Sequence, residues 1–358
     1  MTMRQKIGGL GLVLLLAACG SSGTGAAVLP TVSVPAGSPA SRPLDPTPGP
    51  TTFDPSSFVW TDGPKLPVAV SEIGVALVGG NQIHVVGGYL GGKPHHSVHV
   101  YLDLTVDKWV TAADLPDQLD HVGTTSVGGM LYAMGGYSPK GVSDEVFRWD
   151  PATDKWTTLP PMPTPRAAAV AVVLDGKIHL IGGRDSQQRD ITRHDVYDPA
   201  TGTWTTAAAI PRATDHTAYA VVAGKIHVVG GRPGENTEHD VYDPATDKWS
   251  TAAALPAPRN SFAGADFGGR FVVIGGENST ETKVFGDVWA WDPTTNAWTM
   301  LAKLPQPVQG IGAAVAHERL YIPAGGPVAG PSLETDRLQI LESPADGPGN
   351  QATTAPGY

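Results

Sequence analysis

The sequence predicts an all-β fold built from six similar units. Three observations support this prediction: a repeating pair of glycines, a repeating hairpin motif that ends in tryptophan, and the absence of a sustained helical period. The first glycines of successive pairs are 48, 47, 48, 45 and 50 residues apart, and the pairs are Gly87-Gly88, Gly135-Gly136, Gly182-Gly183, Gly230-Gly231, Gly275-Gly276 and Gly325-Gly326. A period in this range indicates units that are too small to bury a core alone and that pack side by side or around a ring.

The third unit shows most clearly how one repeat divides into four short strands. Strands are predicted over residues 167–174, 177–181 and 194–197, and a fourth begins at Trp204. The turn between the last two strands has the sequence Asp198-Pro199-Ala200-Thr201-Gly202. Proline fixes its own φ, and aspartate can accept a hydrogen bond from the backbone two residues on, so this segment favours a tight hairpin.

The hairpin belongs to a motif that recurs in four units. It consists of an aromatic residue, Asp, Pro, any residue, Thr, two further residues and Trp, and it occupies Trp149–Trp156, Tyr197–Trp204, Tyr242–Trp249 and Trp291–Trp298. A glycine pair, then an aromatic-Asp step, then Trp about twenty residues after the pair resembles the Kelch repeat of the galactose-oxidase-like propellers. The resemblance covers roughly residues 57–342 and implies a six-bladed β-propeller with one four-stranded blade per repeat.

The two ends of the repeat region are predicted to complete one blade together. Trp60 lies 49 residues before Trp109 and so belongs to the tryptophan series, although no glycine pair precedes it. The last glycine pair is followed by one plausible strand, 338–341, and by no tryptophan. We therefore expect Phe58-Val59-Trp60-Thr61 to supply the outer strand of the sixth blade, which removes open sheet edges.

An export signal occupies the first residues. Arg4 and Lys6 form a positive region, Ile7–Leu16 is a short apolar run, and Leu16-Ala17-Ala18-Cys19 resembles a bacterial lipobox. The resemblance implies cleavage before Cys19, diacylation of that residue and a lipid anchor on the extracytoplasmic side of a bacterial membrane. The alternative is an ordinary secretory leader with an incidental cysteine. We expect a signal peptide over 1–18, a disordered tether over 19–56, the propeller over 57–342 and a disordered tail over 343–358.

Composition excludes several classes of function. The net charge is −10, and it becomes −12 when Arg4 and Lys6 leave with the signal peptide, so nonspecific nucleic-acid binding is disfavoured. Cys19 is the only cysteine, which excludes an intramolecular disulfide, a cysteine-based zinc cluster and the Cys–Tyr crosslink of the copper radical oxidases that share Kelch-type repeats. Neither a Gly-x-Ser-x-Gly elbow nor a His-Glu-x-x-His motif is present. We predict no catalytic residue, no cofactor and no bound metal.

The loops around one mouth of the predicted propeller carry the candidate ligand-binding residues. Alignment on the glycine pairs puts these residues directly after the pairs: Tyr89, Tyr137, Arg184, Arg232, Glu277 and Pro327. Arg166 and Arg259 match each other at the start of the innermost strands of two units. Four guanidinium groups at one mouth suit an anionic ligand, such as an acidic sugar or a peptide carboxylate. In the alternative interpretation each arginine pairs with a carboxylate of its own blade and only stabilises a loop.

Two Asp-His steps and one glutamate add further candidates at the same mouth. Asp120-His121 and Asp215-His216 fall at matching positions two blades apart, and Glu72 starts the innermost strand of the first unit. The pairs permit a structural role, a contact with a ligand or a shared divalent cation. An ion shared across two blades has to lie near the channel axis, and the Asp-His step resembles a recurrent element of bacterial Kelch repeats. The structural role is therefore favoured.

Three further histidines are predicted to be packing residues. His84, His179 and His227 each precede a glycine pair by three residues. The equivalent positions of other units hold Tyr132, Val272 and Tyr321. A position that accepts His, Tyr or Val indicates packing rather than chemistry.

The sequence as a whole predicts a monomeric, non-catalytic binding module that takes a protein, peptide or carbohydrate at one mouth. The absence of a catalytic constellation and the predicted tether support this interpretation. One alternative is an acid–base enzyme, because the chain is similar in repeat number to the six-bladed, Kelch-like bacterial N-acetylneuraminate epimerases. Glu277, Glu72 or His216 would then move protons while an arginine holds a carboxylate. A second alternative is a structural envelope protein without a small-molecule site.

Overall fold

The repeats form six four-stranded antiparallel sheets, as the sequence predicts. The computed structural model describes residues 53–330 and 332–343. The predicted signal peptide, Cys19, the tether before residue 53 and the tail after residue 343 lie outside the described residues. Within the described residues, no helix has the length and apolar character that a membrane span requires.

We number the sheets as blades 1 to 6 and give their strands from the inside outward. Blade 1 contains Gly74–Val78, Gln82–Val86, His99–Asp103 and Lys108–Thr111. Blade 2 contains Gly123–Val127, Met130–Met134, Val146–Asp150 and Lys155–Leu159, with an extra short hairpin of Tyr137–Ser138 and Gly141–Val142. Blade 3 contains Val170–Leu174, Lys177–Ile181, His194–Asp198 and Thr203–Thr206. Blade 4 contains Ala218–Val222, Lys225–Val229, His239–Asp243 and Lys248–Thr251. Blade 5 contains Ala263–Phe267, Arg270–Ile274, Val288–Asp292 and Ala297–Met300. Blade 6 contains Ala314–Ala316, Arg319–Pro323, Leu338–Glu342 and Val59–Asp62.

The blades are arranged around a central channel. The innermost strands of successive blades contact one another, and that of blade 6 contacts that of blade 1, which closes the circle. The hydrophobic core lies between neighbouring blades; for example, Tyr132 and Met134 of blade 2 pack with Ala171 and Leu180 of blade 3. Each blade therefore depends on its neighbours for burial, as expected of a repeat too small to fold alone.

The N-terminal strand completes blade 6, which confirms the predicted closure. Val59–Asp62 pairs antiparallel with Leu338–Glu342, and Trp60 lies opposite Leu341. Nε1 of Trp60 also donates a hydrogen bond to the carbonyl of Ala302 in blade 5, over 2.8 Å. The first strand of the chain thus holds the last blade against its neighbour.

The glycine pairs mark the places where each blade meets the next. Gly87 and Gly88 have positive φ values of 65° and 103°. The N–H of Gly88 donates to the carbonyl of Leu119 at the start of blade 2, over 2.8 Å. A Cβ on Gly87 would lie 2.5 Å from that same carbonyl oxygen. Left-handed φ and close backbone approach both favour glycine, which explains the repeat in physical terms.

Blade 6 departs from the predicted alignment by one residue. Ala324 (φ 58°) and Gly325 (φ 102°) have the conformation of the glycine pair in the other blades, and the N–H of Gly325 donates to the carbonyl of Val70 over 2.8 Å. The residue after the pair is therefore Gly326, and the placement of Pro327 at this position was wrong. Alanine conceals the first member of the pair, and Gly326 produces a false pair one residue later.

The tryptophan series links five of the six blades to the preceding blade. In five blades, indole Nε1 donates to a backbone carbonyl of the preceding blade over 2.7–2.9 Å; the pairs are Trp60–Ala302, Trp109–Pro64, Trp156–Ala113, Trp249–Ala208 and Trp298–Ala253. Trp204 packs against Tyr197 with ring centroids 5.0 Å apart, but its Nε1 has no hydrogen-bond partner in the described part of the chain. The tryptophans act as links between blades.

Three histidine pairs are buried at equivalent places in blades 1, 3 and 4. In each pair Nδ1 of the second-strand histidine faces Nε2 of a third-strand histidine over 2.8–2.9 Å; the pairs are His84–His99, His179–His194 and His227–His239. The other nitrogen of each third-strand histidine faces a backbone carbonyl. This burial agrees with the packing role predicted for the three second-strand histidines, whose partners sequence reasoning did not identify.

Candidate functional site

Six residues close one end of the channel in a hydrogen-bonded circle, which we call the axial ring. One comes from the start of each blade: Glu72, His121, Ala168, His216, Ser261 and Gly310. Each backbone N–H donates to the ring carbonyl of the preceding blade over 2.7–3.3 Å, and Glu72 closes the circle on Gly310. All six φ values lie between 50° and 61°. Five non-glycine residues in the left-handed region indicate a backbone that its surroundings hold under strain.

The mouth lies on the side of the axial ring away from the innermost strands. There the residue before each ring residue pairs with the residue after a glycine pair; these bridges are Ser71–Tyr89, Asp120–Tyr137, Ala167–Arg184, Asp215–Arg232, Asn260–Glu277 and Gln309–Gly326. The alignment on the glycine pairs therefore identifies one mouth in five blades and is one residue out in blade 6.

Three side chains of the axial ring meet at the channel axis, and we call them the axial triad. Glu72 belongs to blade 1 and His216 to blade 4, which face each other across the ring, and His121 belongs to blade 2. Their ligand atoms nevertheless all lie within 4.8 Å of one another. Nε2 of His121 is 3.1 Å from the Glu72 carboxylate, and the two imidazole rings pack edge to face with centroids 4.9 Å apart.

Blade 6 leaves room for this arrangement because its ring residue is glycine. A Cβ on Gly310 would lie 2.6 Å from Oε1 of Glu72. The side chain of Glu72 therefore occupies the space that a sixth ring side chain would need. A larger residue at this position would displace the carboxylate.

The charges of the axial triad stabilise one another. Burial disfavours the imidazolium form of His121, but Glu72 and Asp120 raise the pKa of His121 to about 10. Burial also disfavours the carboxylate form of Glu72, but His121, His216 and Arg232 lower the pKa of Glu72 to about 2. At neutral pH, Glu72 and His121 therefore form a carboxylate–imidazolium contact at the floor of the mouth.

A buried aspartate lies next to Nδ1 of each histidine of the axial triad. Nδ1 of His121 is 2.5 Å from Asp120, and Nδ1 of His216 is 3.1 Å from Asp215. Asp120 also accepts a hydrogen bond from the N–H of His95 over 3.0 Å, a contact that sequence reasoning missed. The contact between His216 and Asp215 is close but poorly directed, and neither carboxylate oxygen of Asp215 accepts a well-formed hydrogen bond within the described residues. Burial disfavours the charge of Asp215, but the nearby His216, Arg232 and Arg184 offset this cost.

Arg166 and Arg259 do not reach the mouth, so the predicted cluster of four guanidinium groups is reduced to two. Both side chains are almost completely buried. Arg166 pairs with the buried carboxylate of Asp195. Arg259 donates to the carbonyl of Gly275 over 3.2 Å and lies over the ring of Phe285. The alternative interpretation, in which these arginines stabilise their own blades, describes them better.

Arg166 and Arg259 are buried because of their position relative to the axial ring. Each of the two arginines precedes its ring residue by two positions, and Val70, Leu119 and Val308 hold that position in other blades. All three are completely buried. The position two residues before the ring residue therefore belongs to the core between blades. The spacing of residues along the chain does not show that a side chain at this position points into the core rather than into the mouth.

Arg184 and Arg232 do lie at the mouth, in neighbouring blades. Their side chains are 32% and 24% exposed. Nε of Arg184 donates to a backbone carbonyl and is 3.8 Å from Asp190. Nη2 of Arg232 is 3.4 Å from Glu277 and 3.1 Å from Glu281. Neither arginine forms a close bidentate ion pair, so both keep donors for a ligand.

Tyr89, Tyr137 and Glu277 complete the wall of the mouth. The two tyrosine rings flank His121, with centroids 5.9 and 5.3 Å from the imidazole. Burial and nearby carboxylates raise the pKa of Tyr89, and burial together with Asp215 raises that of Tyr137 to about 12, so both hydroxyls stay protonated. Burial also raises the pKa of Glu277, which accepts a hydrogen bond from a backbone N–H over 2.8 Å.

Asp190 is a mouth residue that sequence reasoning missed. It forms a backbone bridge with Arg184 in the loop after the glycine pair of blade 3. Burial and the neighbouring Asp215 raise the pKa of Asp190. Burial opposes the ionisation of Asp215, but His216, Arg232 and Arg184 lower its pKa. No repeated motif marks this loop position, so the sequence carries no signal for it.

On the other side of the axial ring the channel forms a cavity of about 330 Å³. The innermost strands line it with small and apolar residues, including Gly264 and Val75. The axial triad lies between this cavity and the mouth, because it lines the cavity and also contacts the mouth tyrosines. The axial triad therefore forms the floor of the mouth and separates it from this cavity.

The repeats match a known family. The model of the KLHDC2/KLHL20/DRC7 Kelch-repeats domain matches residues 121–326, which is more than half of the chain. The chain belongs to this Kelch-repeat family. The match runs from the ring residue of blade 2 to the mouth residue of blade 6. A Kelch propeller is consistent with a protein-binding module.

Curated Kelch relatives are similar to part of the propeller. Kelch-like protein 35 of Mus musculus is 31% identical over 133 residues, which cover 37% of this chain and 22% of that protein. Kelch-like protein terF of Aspergillus terreus is 32% identical over 155 residues, or 39% and 32% of the two chains. Beta-scruin of Limulus polyphemus is 33% identical over 132 residues, or 35% and 14%. The matched part is less than a third of the length of each of these relatives.

Among solved structures, that of YjhT has a similar fold. The superposition has a TM-score of 0.69 and covers 77% of this chain and 95% of that chain. The two sequences are 18% identical. At this identity the similarity supports the fold alone.

Proposed function

We propose that this protein is an extracytoplasmic binding module that takes a carboxylate-bearing glycan or peptide at the mouth and is held at a membrane by a lipid on Cys19. The observation that carries the ligand proposal is the pair Arg184 and Arg232. They come from neighbouring blades and stand partly exposed at one mouth without a close bidentate partner. Guanidinium groups in this state bind planar carboxylates through two parallel hydrogen bonds.

The rest of the mouth favours a ligand with hydrogen-bond donors beside its carboxylate. Asp190 and Glu277 supply acceptor oxygens next to the two arginines, and Tyr89 and Tyr137 supply hydroxyl groups. Sugar acids and peptide C-termini carry a carboxylate together with hydroxyl or amide donors. The mixed charge of the mouth therefore suits them better than it suits a simple inorganic anion.

Removal of either mouth arginine is expected to weaken ligand binding by about 10- to 100-fold, because a charge-assisted hydrogen bond contributes about 1.5–3 kcal/mol. The variants are Arg184→Ala and Arg232→Ala. The measurement is isothermal titration calorimetry with a panel of sugar acids and short peptides that end in a free carboxylate. Methyl esters of the same compounds should bind as weakly to the wild type as the acids bind to the variants.

Arg270→Ala is the matched control for these variants. The side chain of Arg270 is 26% exposed and pairs with Asp292 over 2.9 Å, but it lies at the end of the innermost hairpin opposite the mouth. Its removal should leave binding unchanged. If Arg270→Ala weakens binding as much as Arg232→Ala does, or if neither mouth variant weakens it, the ligand does not bind where we propose.

Replacement of Cys19 is expected to release the protein from the membrane. Two acyl chains give stable anchoring, whereas one chain gives only marginal binding. The Cys19→Ser variant should therefore move from the membrane to the soluble fraction on cell fractionation and should lose metabolic labelling with palmitate. Ser21→Ala, two residues away, should stay in the membrane fraction. A Cys19→Ser protein that remains there would show that the chain is held by other means.

A further inference from the structure

The axial triad has the donor set of a transition-metal site. Glu72, His121 and His216 supply one carboxylate and two imidazoles, with ligand atoms within 4.8 Å of one another. Among the residues that the structure describes, it is the one group of at least three His, Cys, Asp or Glu side chains with this proximity. Proteins bind Zn²⁺ with two histidines and one glutamate. We propose that the axial triad binds one Zn²⁺ ion on the propeller axis, at the floor of the mouth.

The distances fit the size of the ion. A tetrahedral Zn²⁺ with bonds of about 2.0–2.1 Å holds its donor atoms about 3.3 Å apart. Nε2 of His121 already lies 3.1 Å from the carboxylate of Glu72. The 4.8 Å limit on the triad leaves at most about 1.5 Å for the donors to close. A rotation of the His216 ring, whose Nδ1 makes no well-formed hydrogen bond in the described structure, can supply this movement.

The buried aspartates behind the histidines are an independent sign of a metal site. Histidines that bind metals usually donate their other ring N–H to a carboxylate, which fixes the tautomer and aims the free nitrogen at the ion. Asp120 lies 2.5 Å from Nδ1 of His121, and Asp215 lies 3.1 Å from Nδ1 of His216. In both cases Nε2 is the nitrogen that faces the axis, and Zn²⁺ would replace the Nε2 proton that His121 directs at Glu72, releasing that proton to the solvent. Asp215 is buried beside His216 and Asp190, and a His216 ring fixed by zinc would direct its N–H to the Asp215 carboxylate.

The charge of the surroundings also suits a divalent cation. Glu72, Asp120 and Asp215 place three carboxylates around the two histidines, and all three are largely or completely shielded from water. Opposite charges attract strongly at such short range in a poorly hydrated site. Three protein donors leave a fourth position, as in zinc sites that bind water or a substrate. The mouth tyrosines beside His121 place this position within reach of a ligand at the mouth.

Spacing along the sequence argues against a shared ion, because the donors come from three blades. The axial ring removes this objection, since it draws residues of opposite blades to the same axis. The zinc proposal does not depend on Arg184, on Arg232 or on any carboxylate ligand. Each proposal can therefore fail without the other.

The experiment uses the full chain, stripped with EDTA and then dialysed against micromolar ZnCl₂, with bound zinc measured by inductively coupled plasma mass spectrometry. We expect one Zn²⁺ per wild-type chain. His121→Gln, His216→Gln and Glu72→Gln should each weaken zinc binding by about 100-fold, and Asp215→Asn by about 10- to 100-fold. The matched control is His317→Asn, which changes an exposed histidine on a hairpin of blade 6 and should bind like the wild type.

A second measurement does not depend on whether the variants fold. X-ray absorption at the zinc edge of the loaded wild-type chain should show a first shell of nitrogen and oxygen with two imidazole groups and no sulfur. Fewer than two imidazoles, a wild-type chain that retains no zinc after dialysis, or a His216→Gln variant that binds as tightly as His317→Asn would each overturn the proposal.

Discussion

Deletion of residues 57–62 is expected to lower the melting temperature by about 10 °C or more. The deletion removes the outer strand of blade 6, which pairs with Leu338–Glu342. It also removes Phe58, whose ring packs against that of Phe267 in blade 5 with the ring centroids 5.3 Å apart. Loss of one buried phenylalanine costs about 3–5 kcal/mol, and each kcal/mol shifts the melting temperature of a domain of roughly this size by about 2 °C. The Trp60 link and the strand hydrogen bonds add to that loss. Circular dichroism at a strand wavelength measures the transition.

Two point variants on the same segment give a matched comparison. Phe58→Ala removes a side chain that is 5% exposed and lies in the core between blades 5 and 6, whereas Val59→Ala shortens a neighbour that is 43% exposed. We expect Phe58→Ala to lower the free energy of unfolding by about 3–5 kcal/mol and Val59→Ala by less than about 0.5 kcal/mol. Equal melting curves for the two variants would contradict the idea that this segment locks the ring.

The ring closure could be predicted because it depends on residues that recur. A backbone position with left-handed φ and a carbonyl 2.5 Å from its missing Cβ, as at Gly87, demands glycine in blade after blade. The tryptophans recur because, in five of the six blades, the indole reaches a carbonyl of the preceding blade, as Trp109 reaches Pro64. Where one member of the pattern changes to alanine, as at Ala324, the same reasoning gave a register that was wrong by one residue.

The candidate site was less predictable, because it depends on distances across the ring rather than along the chain. The sequence places Glu72 and His216 three repeats apart, and their proximity follows from the closed axial ring of backbone hydrogen bonds. The left-handed conformation of the ring residues carries no residue signature, since Glu, His, Ala, Ser and Gly all adopt it here. Arg166 shows a different error. Its backbone lies next to the axial ring, as the alignment predicted, but its side chain turns into the blade and pairs with Asp195.

Acid is expected to unfold the propeller at a pH well above the range in which carboxylates titrate. Six buried histidines stay neutral in the folded chain but take up protons when the chain unfolds, so acid favours the unfolded state. Burial lowers the pKa of these histidines to values between about 2, for His84, and about 4; the others are His99, His179, His194, His227 and His239. Exposed histidines in the unfolded chain titrate near 6.5. Chemical denaturation at a series of pH values from 7.5 to 5 measures the effect.

The sign of the pH dependence of the unfolding free energy follows from proton uptake. Above pH 6.5 both states hold neutral histidines, so these groups add no pH dependence. Between pH 6.5 and the lowered pKa values the unfolded chain binds more protons than the folded chain, and the free energy of unfolding falls as the pH falls. His121, with a pKa raised to about 10, is protonated in both states below pH 6 and contributes nothing to this slope. Each buried histidine contributes up to about 1.4 kcal/mol per pH unit.

The propeller itself supplies the variant that tests this explanation. At the positions of His227 and His239, blade 5 carries Val272 and Val288, which are both completely buried. The double variant His227→Val, His239→Val copies that arrangement and removes two of the six proton acceptors. The carbonyl of Ala253, which His239 faces, keeps its hydrogen bond from Trp298.

We expect this double variant to reduce the slope of unfolding free energy against pH by about a third, or about 2–3 kcal/mol per pH unit, between pH 6 and 5. Its stability at pH 7.5 is the baseline, so that any cavity left by the smaller side chains is subtracted. The matched control is His317→Asn, whose exposed histidine should leave the slope unchanged. If the double variant and the control have the same slope, the histidine pairs are not the groups that take up protons when the blades separate. A reduced slope would mean that the His227–His239 pair, at a core position where blade 5 carries two valines, takes up protons on unfolding and weakens the ring in acid.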